Sequence, residues 1–458
     1  MTDLPRAADR HRPAQQRWEE GKALRKTTPR GALAAWRKTP ERPDPVMALV
    51  DARRHDIARF QPIRYARMNA SPAAFLRGAA VIMAADLGGL PNSGLWVQAC
   101  GDCHLRNFGT FATPEGTPVF DLNDFDETLP APFEWDLKRL ATSFVVEAAV
   151  RGRPARDGIH LARNAILAYR LYMRALANTA PLEMWRARID AMEAVEAIED
   201  PKRRAREIQR LSRWADNADP GYGHLIEKRK GVFRIVARPP TLLPMTGQAD
   251  DTYELAARSA FDTYRHSLPE EQRLLLDRYR LEDVAFKVVG IGGVGTFCAI
   301  GLFASPDGAT LLLQIKEARM PVLAPYTKPS KYANQGRRVV VGQRIMQAQS
   351  DIFLGWTEHP GDDQHCYVRR LKDPRLARVA EDLAENALEH HATLCGMALA
   401  RAHARSGDPA VIAGYMGGGD AFDKAIGSFA VAYAEQTKED WALLRAAIAS
   451  GQIEARED

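Results

Sequence analysis

The segment Cys100-Gly101-Asp102-Cys103-His104-Leu105-Arg106-Asn107 sets an acid and an amide five positions apart, and a second acid, Asp124, follows at the end of an apolar run. Carboxylate and amide oxygens suit a hard cation, and an acid, an amide and a second acid in one short segment are what a magnesium-dependent phosphoryl-transfer site requires. A second constellation lies far downstream. Gly290-Ile291-Gly292-Gly293-Val294-Gly295 fits G-x-G-x-x-G, and Lys316 follows within Leu313-Gln314-Ile315-Lys316-Glu317. A dinucleotide-binding loop would open a helix after its last glycine, but Thr296-Phe297-Cys298-Ala299-Ile300 is β-branched and apolar, so the chain should continue as a strand. A glycine turn between two strands lets backbone N–H groups approach phosphates, and a lysine on the next strand neutralises their charge.

The elements that must hold these residues follow from periodicity. Apolar positions recur at helical spacing over 75–87, and 134–230 reads as helix from Trp135-Asp136-Leu137 onward. Between them, 95–98, 108–111 and 118–122 read as strands, the last two forming a hairpin about Pro114-Glu115-Gly116. Pro239-Pro240 and Pro244 mark a boundary, a helix is expected over 251–267, and 284–371 is rich in strands, with a helix near 339–348. Helices fill 377–406 and 421–450. The expected organisation is a loosely held N-terminal arm (1–45), a large-lobe segment with the acidic loop and hairpin (46–280), a small β-rich lobe (281–373), and C-terminal helices that complete the large lobe (374–458).

With 458 residues the chain has ample sequence for two packed lobes. A balance of 63 Lys+Arg against 58 Asp+Glu argues against nucleic acid as a partner. No run is long enough to span a bilayer, and five cysteines without framework spacing suit a reducing compartment, so a cytoplasmic location is expected. Cys100-x-x-Cys103-His104 also fits covalent haem attachment, but that chemistry has no use for Asp102 or Asn107 and takes place outside the cytoplasm. One C-x-x-C without a second ligand pair does not complete a zinc site.

On these residues the chain resembles the protein-kinase-like superfamily, and within it the aminoglycoside and choline phosphotransferase branch. Those enzymes carry H-G-D-x-H-x-x-N, a magnesium aspartate after the next hairpin, and a W-D-L-A-R-L-like helix. Residues 100–107 match at Gly101, Asp102, His104 and Asn107 and depart at Cys100, while Asp124 precedes Asp136 by a spacing similar to the family's. The full sequence, including Arg67-Met68-Asn69-Ala70-Ser71-Pro72 and Asn123-Asp124-Phe125-Asp126-Glu127, is also similar to a bacterial family, domain of unknown function 2252.

The first resemblance implies an α+β, bilobal protein-kinase-like fold with a small antiparallel β lobe and a large, mainly helical lobe. Because the acidic loop precedes the glycine turn and lysine, the fold would be circularly permuted, with the helix around 394–405 standing where the family's helix runs into the catalytic loop. ATP and Mg2+ are the implied cofactors. Asp102 would orient or deprotonate an acceptor hydroxyl, and Asn107 and Asp124 (rather than Asp121 or Asp126) would hold magnesium. Lys316 with Gly290, Gly292, Gly293 and Gly295 would cradle the triphosphate, while Asp136 and His104 would brace the loop. The family's glutamate partner for the lysine is missing, since 318–357 contains none, and Gln343 or Gln347 is the expected substitute. That gap keeps a nucleotide-binding scaffold in view beside phosphoryl or AMP transfer. The acceptor, a small molecule or a protein, would be selected by helices within 150–235, which carry no readable motif, and Arg64, Arg67 and Arg77 are candidates for a cationic face toward phosphate or an acidic substrate.

Overall fold

The computed structural model describes residues 11–216, 221–245, 248–288, 290–291, 293–357 and 364–456; Gly292 lies outside them. The chain is mixed α+β, mostly helical, with small antiparallel sheets. Among the described residues no helix is long and apolar enough to cross a membrane, and all five cysteines are free and buried.

Strand β1 (Trp96–Ala99) pairs with β4 (Leu129–Pro132), and β2 (Phe108–Ala112) forms the expected hairpin with β3 (Pro118–Leu122). The pairing of β1 was hidden because β4 reads Leu-Pro-Ala-Pro, whose prolines argue against a strand unless it lies at an edge. A second hairpin, β5 (Ile226–Arg229) and β6 (Val232–Ile235), begins within the last residues of the region expected to be helical. The main sheet has six strands: β7 (Leu242–Pro244), β8 (Arg280–Lys287), β9 (Cys298–Ala304), β10 (Thr310–Glu317), β11 (Gly355–Trp356) and β12 (Cys366–Arg370), ordered β11-β12-β10-β9-β8-β7.

Two principal cores explain the arrangement. The smaller one packs the helix Gln248–Thr263 (Ala257, Ala260, Phe261) against the sheet through Phe286, Ala299, Leu313, Ile315 and Val368. Because side chains alternate along a strand, Leu311, Leu313 and Ile315 of β10 enter that core, and Leu312, Gln314 and Lys316 point to the opposite face. The larger core gathers segments from both ends of the chain: Leu137, Leu140 and Phe144 of the helix Phe133–Val150, Leu161 and Tyr169 of Ala155–Ala177, Leu394 and Leu399 of Leu388–Ala404, and Phe422 and Phe429 of Ala421–Ala449. Between the cores lies the helix Gln335–Met346, capped by Asn334, which sends Val339, Val340 and Met346 into the larger core.

Of the expected loose arm, residues 1–10 lie outside the described residues, and the rest is docked rather than loose. Its helix Ala14–Ala23 lies on Pro409–Met416 so closely that a Cβ at Gly21 would sit 1.9 Å from the Val411 carbonyl oxygen, Arg17 pairs with Asp408 at 2.8 Å, and Leu33 is buried in the larger core. Its polar composition concealed this, because the contact is made by backbone approach and arginine bonds rather than by an apolar stripe.

Helices Leu388–Ala404 and Ala155–Ala177 pack equally closely, and a Cβ at Gly396 would fall 2.1 Å from the Ala165 carbonyl oxygen. Backbone cannot move aside as a flexible side chain can, so Gly396→Ala is expected to lower unfolding free energy by about 1–3 kcal/mol. Denaturant titration checks this; an unchanged midpoint would contradict the packing described.

Candidate functional site

Asp102 is reached from β1 through a turn at Gly101, where φ is +85° and a Cβ would lie 2.3 Å from the Glu127 carbonyl oxygen. Only glycine meets both conditions without strain. Asp136, in the first turn of Phe133–Val150, fixes the turn from below by accepting the N–H groups of Cys100 (2.6 Å) and Gly101 (2.9 Å). His403 Nε2 lies 3.1 Å from the same carboxylate, and Tyr169 Oη lies 2.9 Å from His403 Nδ1. The anchor is thus tied to two helices of the larger core.

The Asp102 carboxylate takes Arg139 on Oδ1 at 2.5 Å and leaves Oδ2 facing His104 Nε2 at 3.9 Å. Burial raises the Asp102 pKa above its ordinary value, against the pull of Arg139. His104 accepts the Arg106 N–H on Nδ1 (3.2 Å), so its proton sits on Nε2, and burial with the neighbouring Arg77 and Arg139 charges drives its pKa well below normal. It is a neutral brace at physiological pH. Asn107 donates Nδ2–H to the Asp102 carbonyl at 2.6 Å, which leaves its amide oxygen available. Cys100, which stands where the resemblance expects histidine, donates its thiol to the Asp124 carbonyl at 3.3 Å and so ties the two acidic segments together.

Asp124 follows β3 and keeps 39% of its side chain exposed, whereas Asp121 is sealed by Arg401 (2.6 Å) and the Ala348 N–H (2.9 Å). Lys316 reaches the same place from β10. Its ammonium lies 3.8 Å from Asp124 Oδ1, is bonded to Asp126 Oδ2, and sits 5.5 Å from the Tyr367 ring centroid, while Tyr367 Oη donates to Asp126 Oδ1 at 2.6 Å. Burial opposes the charge on Lys316, yet Asp124 and Asp126 raise its pKa well above normal. Burial likewise opposes the charge on Asp124, but Lys316, Arg369 and Lys372 hold its pKa far below the usual carboxylate range.

The expected glutamine substitute is therefore corrected. Gln343 donates to Gln347 and Gln347 to the Leu122 carbonyl, each at 2.8 Å, and neither amide pairs with Lys316. Asp126 takes the lysine instead. Its loop is held by Arg338 of Gln335–Met346, which donates to the carbonyls of Asp126, Thr128 and Arg319 at 2.6–2.8 Å. No helical periodicity signals such a pairing, because it depends on a loop two residues beyond Asp124.

One cleft gathers Asp102, His104, Asn107, Asp124, Asp126, Glu127 and Lys316 with Gly290 and Gly293, and with Arg53 and Arg77. Gly295 acts elsewhere. Its φ is +99°, and a Cβ there would meet the Asp56 carboxylate at 2.3 Å, so it lets the turn between β8 and β9 dock on the segment before the acidic loop. The Ile57 N–H to the Gly295 carbonyl (2.7 Å) and Arg67 to the Gly290 carbonyl (2.7 Å) complete that docking. Arg64 is likewise spent inside, on the Gly78 carbonyl at 2.7 Å. No cluster of three or more His, Cys, Asp or Glu suited to a metal occurs among the described residues. Asn107 and Asp124 supply two hard oxygen donors on one wall, a set that fits magnesium only when phosphate oxygens or water complete the shell.

Fold and cleft thus define a mixed α+β protein whose charged site is assembled from sequence-distant segments. Residues 54–447 match the model of a family described as an uncharacterized protein conserved in bacteria (DUF2252), and the chain belongs to that family. No curated protein and no solved structure matches it.

Removing the Asp136 carboxylate would leave two buried N–H groups unpaired, so Asp136→Ala is expected to cost about 3–5 kcal/mol of stability and Asp136→Asn less. Thermal unfolding of both variants measures this; equal, negligible losses would contradict the anchoring role. The lysine has its own pH signature. Depressed Asp124 stabilises the fold above about pH 3.9, its unfolded value, and that gain is lost as pH falls; raised Lys316 stabilises it below about pH 10.4 and is lost as pH rises. The stability gap between wild type and Lys316→Met should narrow as pH falls below about 4, where the Asp124 carboxylate loses its charge. A constant gap would show that the three charges do not interact.

Proposed function

We propose that this chain is an ATP- and Mg2+-dependent phosphotransferase with a circularly permuted protein-kinase-like fold. The observation that carries the reading is the meeting, on one cleft, of Asp102, Asn107 and Asp124 with Lys316, Gly290 and Gly293 from about two hundred residues later in the chain. The sheet supports it. Strands β8, β9, β10, β12 and β11 lie side by side in that order, with the glycine turn between the first two, the lysine on the third, and a helix between the third and the last two. In this reading the chain order is the permuted one, and the helix Leu388–Ala404 sends Arg401 to Asp121 at the base of the acidic loop.

In this reading the glycine turn and Lys316 bind the triphosphate, so the lysine exchanges Asp126 for a phosphate oxygen. Asn107 and Asp124 would hold magnesium, which would supply neutralising charge at the phosphates. Asp102, its Oδ2 open toward the cleft and its pKa raised by burial, orients the acceptor hydroxyl and takes its proton. A bond forms from the acceptor oxygen to the γ-phosphorus as the bond from that phosphorus to the β–γ bridging oxygen breaks, and ADP leaves with the electron pair. Arg139 keeps Asp102 in place, while neutral His104 braces the loop by accepting the Arg106 N–H.

Magnesium and ATP together should raise the melting temperature of the wild type and not that of Asp124→Ala. Asp102→Asn should retain nucleotide binding while losing about 10²–10⁴-fold in turnover. Mass analysis of nucleotide and acceptor products separates phosphoryl from AMP transfer. ATP binding without ADP, AMP or a modified product across broad acceptor panels would replace the enzyme reading with that of a nucleotide-binding scaffold, and absence of binding would remove both.

A further inference from the structure

Two cations in the cleft are not used by the chemistry above. Arg53 and Arg77 line it, yet neither guanidinium has a hydrogen-bond or ion-pair partner among the described residues, and Nε of Arg77 is fully buried. Neighbouring arginines are treated differently. Arg139 takes Asp102, Arg106 takes Glu147, Arg319 takes Asp56 and Glu317, and Arg338 takes three backbone carbonyls. Asp102 and Glu147 act on Arg77 only from beyond salt-bridge reach, and a largely desolvated guanidinium whose Nε has no hydrogen bond is a cost to the fold, so its presence beside the Asp102 carboxylate points to a ligand that supplies the missing partner.

Position tells which ligand. Arg77 ends the short helix Pro72–Gly78 and is among the charges that act most strongly on Asp102 and His104. The cations that hold Asp124 ionised are others: Lys316, Arg369 and Lys372. Arg77 therefore stands on the Asp102 side of the cleft, where an acceptor would enter, rather than beside the triphosphate cradle. Arg53 lines the same space, and Glu127, a carboxylate near it, already accepts the Val322 N–H at 2.6 Å.

We propose that Arg53 and Arg77 form an anion subsite on the acceptor side, so that the acceptor is a hydroxyl compound that also carries a phosphate or carboxylate group. The term acceptor rests on the phosphotransferase reading; the anion subsite does not.

The test uses the full chain and inorganic phosphate as probe, with binding read by calorimetry and thermal shift. Phosphate should bind wild type, with its dissociation constant raised at least roughly tenfold by Arg77→Met, raised by Arg53→Met, largely restored by Arg77→Lys, and changed less than about threefold by Lys316→Met. Ligand-free Arg77→Met should melt no lower than wild type, because a cation without a partner has been removed. Equal phosphate affinity in wild type and Arg77→Met would overturn the proposal, as would loss of phosphate binding in Lys316→Met, which would place the anion in the triphosphate cradle. A ligand-free Arg77→Met that melts well below wild type would overturn it too, by making the residue structural. If an ATP analogue fails to bind wild type while phosphate behaves as expected, the phosphotransferase reading falls and the anion subsite stands.

Discussion

A buried ammonium with two carboxylates beside it organises this molecule. Lys316 comes from the main sheet and Asp124 and Asp126 from a loop of the larger core, so the charge pairing joins segments about two hundred residues apart in the chain. Separating these charges inside the protein would leave each desolvated and unpaired, a larger penalty than the pair's net attraction. The surrounding bonds follow from that constraint. Tyr367, the direct cross-strand neighbour of Lys316, holds Asp126; Arg338 holds the Asp126 backbone; and Cys100 holds the Asp124 backbone.

The same arrangement accounts for a lysine without a helix glutamate. Asp126 occupies the ammonium while the cleft holds no anion, and it stands two residues from Asp124, so a phosphate that takes the lysine also frees a carboxylate next to the proposed metal ligand. Binding in such a cleft would reorganise existing charges rather than bring a cation to an empty pocket. The pairing is thereby compatible with a functional lysine and does not by itself argue for a degenerate site.

How much of this was readable from sequence depends on the kind of signal each residue leaves. Gly101-Asp102, Asn107 and Asp124 stood out because their types are unusual at close spacing, and the β2–β3 hairpin and β9–β10 strands because turn residues and β-branched runs mark them. Lys316 was legible from its strand, whose alternation fixes its face. What stayed hidden was long-range and polar. Asp126 as the lysine's partner, Arg338 as the loop's clamp, Gly295 as a packing position and the docked N-terminal helix all depend on backbone contacts between segments far apart in the chain, and no local period encodes them. Arg77 was visible as a cation, but that its buried Nε finds no hydrogen-bond partner emerges only in three dimensions.

Where a triphosphate sits decides the function of this cleft. A crystal structure of the full chain with magnesium and a non-hydrolysable ATP analogue should show the phosphates between the turn at 290–295 and Lys316, with Asn107 and Asp124 as the protein ligands of the metal and the lysine turned from Asp126 to a phosphate oxygen. An analogue bound at any other surface, with the Lys316–Asp126 pair intact, would contradict the phosphotransferase reading.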